Sequence, residues 1–244
     1  MARVNEIFYS LQGEGVYAGV PMVFIRLQGC SPSTKGCRYC DTRYAFDAKG
    51  GTEMSVKDVV DKVIDFCPYR QGWVCITGGE PLAQEPELHE LVKALRENGM
   101  RVEIETNGCM PKPWWWTIVH SWNADMKCPS SEMDIWSRET EWFNGRVEDQ
   151  VKFVVADEKD LRYARLLISR NLAKNPVVMV SPVIKKFGTF EGKLWYEDNI
   201  VSLFGEWEAE QLWFQRVWQF CLEERVRFSL QLHKPVFGSQ RRGV

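Results

Sequence analysis

The sequence predicts an α/β fold, a parallel sheet with helices on its outside. Short apolar strands alternate with segments of helical periodicity, the order that demands parallel crossover connections. Each strand runs into a polar or glycine-bearing turn, and several of those turns carry residues capable of chemistry. Ligands in such folds sit at the carboxyl ends of the strands, so these turns should share one rim.

Composition narrows the class. Of 244 residues, 45% are hydrophobic and 26% charged, as in ordinary globular proteins, with chain enough for one sizeable core. The net charge of −2 creates no field for a polyanion and argues against a nucleic-acid partner. No run of eighteen apolar residues exists, and the N-terminus lacks the apolar core of a signal peptide. The expectation is a cytoplasmic chain without a membrane partner, folded as one domain. It divides into a lead-in (1–19), core βα units (20–182) and a C-terminal helix, last strand and tail (183–244).

In chain order, NEIFYSLQGEGVYAG reads as a turn-rich lead-in around Gly13 and Gly15. Pro21 to Gln28 is a strand, with Val23, Ile25 and Leu27 on one face and Phe24, Arg26 and Gln28 on the other. An arginine there needs an anionic or acceptor partner, which a structural ion pair or a ligand could supply. Ser55-Val-Lys-Asp58 is a capping-box variant opening a helix to Cys67, with Val56, Val59, Val60, Val63 and Ile64 on one face and Pro68 as its stop. Trp73 to Thr77 is a buried strand entering Gly78-Gly79-Glu80-Pro81. A helix from Glu87 to Asn98 stops at Gly99, a C-cap glycine. Arg101 to Glu105 is a strand delivering Thr106-Asn107-Gly108.

The second half continues the pattern. Trp114-Trp115-Trp116 follows a Pro-Lys-Pro breaker, and a strand near Ser121 to Ala124 ends at Asp125-Met126-Lys127. Gln150 to Val155 is a strand, and Asp157 caps a helix ending near Asn171. Val177 to Val180 leads to Ser181-Pro182. A helix spans about Glu206 to Glu224, Val226 to Leu232 alternates as the last strand, and the tail from Gly238 is disordered by composition.

Eight cysteines in an intracellular chain argue for metal or redox use of some. Cys67, Cys75 and Cys221 sit in apolar periodic stretches and read as core residues. Cys109 and Cys128 follow strand ends and read as structural thiols. Cys30, Cys37 and Cys40 share one loop after the first core strand, the last two as a Cys-x-x-Cys clip. Three thiolates cannot complete a tetrahedral structural zinc site, although Asp41 could add an oxygen. Three can hold three irons of a [4Fe–4S] cluster and leave the fourth open.

With Gly78-Gly79-Glu80-Pro81, Glu105-Thr106-Asn107-Gly108, Leu11-Gln12-Gly13-Glu14-Gly15, Cys40-Asp41-Thr42 and Gln231-Leu232-His233-Lys234, the cysteine loop resembles the radical S-adenosylmethionine (SAM) superfamily. Within it the closest resemblance is to the 7-carboxy-7-deazaguanine synthase (QueE-type) family. The usual spacing of the first two cysteines is three residues, and here it is six.

The resemblance implies a partial, open (β/α) barrel with the lead-in over the active site. It implies a lyase that converts 6-carboxy-5,6,7,8-tetrahydropterin to 7-carboxy-7-deazaguanine and ammonia in queuosine or deazapurine biosynthesis. The reduced cluster would cleave SAM to a radical that takes a substrate hydrogen, with SAM regenerated.

Cys30, Cys37 and Cys40 would hold the cluster. The Gly78, Gly79 and Glu80 turn would meet the SAM amino group, and Tyr39 and Asp41 its adenine or ribose. Asn107, Asp125, Met126, Lys127 and Ser181 join the SAM set by their place on the rim. Thr42 would ligate magnesium beside the substrate carboxylate, whereas on sequence alone it caps a local turn. Leu11, Gln12, Gly13, Glu14, Arg26, Thr77, Gln231, His233 and Lys234 form the substrate set. Gln12 and Glu14 would read the pterin ring, and Arg26 would take its carboxylate as a bidentate pair. His89 and His120 are not nominated. An external one-electron donor of flavodoxin or ferredoxin type and a homodimer are further expectations. The rivals are a glycyl-radical-enzyme activase and, from another class, a zinc-dependent RNA-binding module using the Trp114 cluster for stacking.

Overall fold

A computed structural model describes residues 1–30, 36–67, 71–133, 136–172, 174–184, 200–237 and 242–243, with backbone alone for 200–209. Pro68 and most of the tail from Gly238 lie outside the described residues.

The elements follow in order: β1 (Ala2–Leu11), β2 (Pro21–Leu27), β3 (Thr52–Met54), α1 (Val56–Phe66), β4 (Trp73–Gly78), α2 (Glu87–Glu97), β5 (Arg101–Thr106), β6 (Ser121–Met126), α3 (Glu139–Trp142), β7 (Gln150–Val155), α4 (Glu158–Arg170), β8 (Val177–Pro182), α5 (Ile200–Glu224), β9 (Arg227–Phe228) and α6 (His233–Phe237). They build one sheet in the order β3-β1-β2-β4-β5-β6-β7-β8-β9. From β2 to β9 every neighbouring pair is parallel. β3 and β9 are its edges, so the sheet is the expected open, partial barrel.

Local signals explain the main boundaries. Ser55 caps α1 by accepting from the Asp58 amide at 3.1 Å, a cap that contributes about 1 kcal/mol. Asp157 caps α4 in the same way through Asp160. Gly99 takes φ +82° after α2, where a Cβ would be strained. The outer face of the sheet buries Val23, Ile25, Leu27, Val74, Ile76, Val102 and Ile104 under α1 and α2, in a core continuous with Trp115, Trp122, Phe153 and Phe220. Cys75 is fully buried facing the lumen, in a small cluster with Met22 and Phe24, while Cys221 packs in the main core and Cys67 is half-buried against it. None of the described helices is long and apolar enough to cross a membrane.

Three expectations are corrected. The lead-in is turn-rich only from Gln12; Ala2–Leu11 is a ten-residue strand, antiparallel to β2. Its alternation is broken by a register shift between Val4 and Glu6, which hid the period. The last strand pairs only at Arg227 and Phe228, because Gln231 and Lys234 are drawn away to other partners and the chain turns into α6. α5 begins at Ile200 rather than near Glu206.

The tryptophan run is mostly structural. Trp115 is buried, donates from Nε1 to Glu85 at 2.7 Å and packs on Trp122 and His89. Of the three only Trp114 stands exposed, so this run presents a single ring where stacking of successive bases would need several.

Candidate active site

The parallel strands present their carboxyl ends to a cavity of about 230 Å³. Its wall contains the three loop cysteines, the Gly78-Gly79 turn, Thr106-Asn107, Asp125 and Lys127, the Leu11–Glu14 segment and Gln231, His233 and Lys234. Tyr39, Asp41, Thr42, Arg26 and Thr77 complete the predicted residues found there. Glu80, Met126 and Ser181 are not in the wall.

Two of the three exceptions have a physical cause. Glu80 is fully buried and points under the rim, accepting from the Leu82 amide, Thr106 Oγ1 and the Asn107 amide at 3.0, 2.8 and 2.7 Å. It clamps two rim turns together, and burial pushes its carboxyl up to about 7 against those three donors. Met126 alternates to the outer face and joins the core. Ser181 is buried, with its hydroxyl unpartnered among the described residues.

The glycine pair lines the cavity and has a second task. A Cβ on Gly79 would stand 2.1 Å from the Gly29 carbonyl, and one on Gly78 2.2 Å from that of Leu27. The close approach is to backbone: Gly79 and Glu80 donate to Leu27 and Gly29 at 3.1 and 2.9 Å. The turn braces the first cysteine of the loop.

Charge is arranged as an alternating belt. Lys127 pairs with Asp125, which also meets Lys152 at 3.4 Å. Lys152 reaches Glu14 at 2.6 Å, and Glu14 accepts from Gln231 at 3.0 Å. Lys234 joins Gln231 to Asp41, 2.8 Å away, and Thr42 donates to Asp41 at 3.0 Å. Burial works against the Lys127 ammonium, yet Asp125, Cys37 and Tyr39 outweigh it and hold its pKa well above the ordinary value. Burial likewise opposes ionised Glu14 and Asp41, and Lys152 and Lys234 respectively hold both below the usual carboxylate range.

Arg26 donates from Nε to Glu6 at 2.7 Å and lies 5.7 and 5.8 Å from the Phe8 and Tyr44 ring centres. Tyr44 donates to the same Glu6 oxygen at 3.0 Å. An ion pair and a place in the cavity wall therefore coexist. Gln12 is buried with its carboxamide engaged by Glu103, Glu105 and the Glu14 amide, so it supports the pocket from beneath.

Glu6, Tyr44 and Lys152 are not singled out by the sequence reading, and Glu105 is part of a motif there without a role of its own. Glu105 accepts from Thr77 Oγ1 at 2.8 Å and, like Lys152 and Tyr44, lines the cavity. A charge inside an apolar strand had singled out Arg26, and the same signal exists in RVEIET and QVKFVV.

The model for the Radical SAM superfamily matches residues 26–119. A 7-carboxy-7-deazaguanine synthase of Methanospirillum hungatei is 36% identical over 95% of this chain and 84% of its own. One from Chlorobaculum tepidum is 35% identical over 99% of this chain and 97% of its own. The chain belongs to the 7-carboxy-7-deazaguanine synthase family. The crystal structure of QueE from Escherichia coli superposes with a TM-score of 0.65 at 26% identity, covering 95% of this chain and 94% of that one.

Membership of this radical SAM family brings a [4Fe–4S] cluster and SAM as cofactors, and the residues present fit both. Among the described residues, only Cys75, Glu103 and Glu105 bring three metal-type ligand atoms within 4.8 Å of one another. Cys30, Cys37 and Cys40 are spread wider than that. Zinc–sulfur bonds of about 2.3 Å would draw three sulfurs closer, whereas a cubane needs them apart. The buried Lys127 ammonium beside Cys37 suits an anionic cluster. For SAM, the cavity wall offers Asn107, whose Nδ2 is buried and unpartnered among the described residues. Cys109 and Cys128 are buried, each thiol turned to a carbonyl, of Asn107 and Met126 respectively.

Proposed function

We propose that the chain is a carbon–nitrogen lyase converting 6-carboxy-5,6,7,8-tetrahydropterin to 7-carboxy-7-deazaguanine and ammonia, acting in the cytoplasm as one functional unit. The observation that carries the reading is the convergence of the cysteine loop, the Gly78-Gly79 turn, Arg26 and the Gln231–Lys234 segment on one cavity. Cluster and SAM together supply a radical that takes a hydrogen atom from the substrate.

The protein residues hold and orient. Cys30, Cys37 and Cys40 are the cluster ligands, with Lys127 compensating their charge. Gly78, Gly79, Asn107, Asp125 and Tyr39 form the SAM side, and Glu80 acts on it indirectly by fixing Asn107. Arg26 presents its terminal nitrogens to the substrate carboxylate while Glu6 holds Nε. Glu14, Thr77, Gln231 and His233 face the ring, and Leu11 and Gly13 shape the wall. Asp41 and Thr42 offer oxygen donors suited to magnesium, which keeps several waters and shares anionic ligands. The lead-in and α6 cover the cavity and keep water from the radical.

A cavity of about 230 Å³, sized for a small molecule, favours this reading over an activase, which must admit a protein segment. An external one-electron donor of flavodoxin or ferredoxin type and a homodimer complete the proposal. Anaerobic turnover of carboxytetrahydropterin with SAM and reductant, followed by chromatography of the product, is its test. Formation of 7-carboxy-7-deazaguanine is expected; reductive SAM cleavage without that product would overturn it.

A further inference from the structure

Glu103 is fully buried on β5, two residues before Glu105 and on the same face of the strand, and it has no task in the function proposed above. With Cys75 and Glu105 it forms a grouping of metal-type ligands. The place a cation would take is filled by Gln12 Nε2, which lies 2.8 Å from Glu103 Oε2, 3.1 Å from Glu105 Oε1 and 3.7 Å from Cys75 Sγ.

The other Glu103 oxygen accepts from Gln150 Nε2 at 2.9 Å. A carboxamide whose NH₂ is tied to a carboxyl group must turn its carbonyl the opposite way. Gln12 Oε1 accordingly accepts from the Glu14 amide at 3.2 Å, and Gln150 Oε1 accepts from the Val16 amide at 2.9 Å. One buried acid thus orients two carboxamides, and each pins one backbone amide of loop 12–16. The Glu14 side chain projects between the two pins toward Lys152, Gln231 and the cavity.

We propose that Glu103 is a positioning residue for substrate binding, fixing through Gln12 and Gln150 the loop that presents Glu14 to the cavity. The inference rests on the reading of Glu14 as substrate-facing. Glu103 itself is not part of the cavity wall and touches no reacting atom. Two acceptor oxygens on one rigid, desolvated group are what the arrangement needs; a neutral amide supplies only one.

The test follows from that count. Glu103→Gln sets an NH₂ against the NH₂ of either Gln12 or Gln150, so one carboxamide must turn and release its backbone amide. Adding Gln150→Glu removes the conflict: the new amide donates to the new carboxylate, whose second oxygen still accepts from Val16. The readouts are amide exchange at Glu14 and Val16, substrate KM, SAM affinity and iron content.

In E103Q, faster exchange at one of those amides and a KM raised about tenfold, the equivalent of one hydrogen bond, are expected with iron and SAM binding unchanged. E103Q/Q150E should recover both protection and KM. If E103Q fails to fold, Q150L removes one grip from the other side and should release Val16 alone with a raised KM. Wild-type protection and KM in E103Q, or a double variant no better than the single, would overturn the proposal and leave Glu103 a packing residue. Glu14→Gln separates the two levels. An unchanged KM there overturns the substrate role of Glu14 and this inference with it. A raised KM there beside a normal one in E103Q sinks the inference alone.

Discussion

Replacing Arg26 with alanine isolates one term of substrate recognition. The guanidinium sits at the end of β2 with its side chain only 16% exposed, against a Glu6 partner at 21%, so water screens the interaction weakly. Burial opposes its charge, and Tyr44 and Glu6 outweigh that and raise its pKa; it is a permanent cation. A substrate carboxylate on its terminal nitrogens contributes about 1.5–3 kcal/mol, the value for hydrogen bonds to charged groups. That corresponds to roughly ten- to a hundredfold in affinity. Arg26→Ala should lose that much in pterin dissociation constant, measured by calorimetry on anaerobic, cluster-loaded protein with SAM present. Glu6 keeps the Tyr44 hydroxyl as a donor, so its desolvation is partly compensated and the protein should remain folded. Arg26→Lys should recover only part, because one ammonium cannot serve Glu6 and the substrate with the separate nitrogens of a fork. Wild-type pterin affinity in folded Arg26→Ala would refute the reasoning and make Arg26 a structural ion-pair residue.

Other outcomes can be checked with fewer steps. Cys30→Ala, Cys37→Ala and Cys40→Ala should each abolish cluster iron, whereas Cys109→Ala and Cys128→Ala should retain it in colorimetric iron assays. Thr42→Ala should weaken activation by magnesium and Thr42→Ser should largely keep it, read from a magnesium titration of turnover. Burial opposes an ionised Glu14, and Lys152 outweighs it and holds the carboxyl below its usual range. The unfolded chain then takes up a proton near pH 4.3 that the folded chain does not. The contribution of Glu14 to stability is full above that value and is lost as pH falls toward the folded pKa. Thermal unfolding of Glu14→Gln should show a flatter decline over that acid range than the wild type.

Much of this site was legible because its residues lie in turns. Cys30, Gly78-Gly79, Thr106-Asn107 and Asp125 each close a strand, and parallel strands gather such turns whatever the details of packing. The strand interiors were harder. Glu103, Glu105 and Lys152 alternate with apolar residues as the wet side of a half-exposed strand would. Curling of the open sheet makes that side a buried lumen, and a strand's own sequence does not say which surface its polar face meets. The turn at Glu80 shows a different limit. Its position after β4 was right, but the direction of a carboxylate depends on neighbouring strands, and the Thr106 hydroxyl that ends β5 and the Asn107 amide just beyond it draw the side chain under the rim. The β1 strand was missed because a bulge disturbs its period.

Where the sheet fails to close, its two ends meet through loops rather than through a ladder. The Leu232 amide donates to the Gly13 carbonyl at 2.9 Å, the Gly15 amide to Ser229 Oγ at 3.3 Å, and Gln231 to Glu14. Each such bond contributes about 0.5–1.5 kcal/mol net, so parting this seam costs far less than separating two strands. The seam borders the cavity and holds no core residue. The loop's firmer ties lie on the other side, in the buried Glu14–Lys152 pair and the Val16–Gln150 bond. The seam is thus a closure made by hydrogen-bonded side chains and backbone instead of a strand pair, set where the cavity meets the two ends of the sheet.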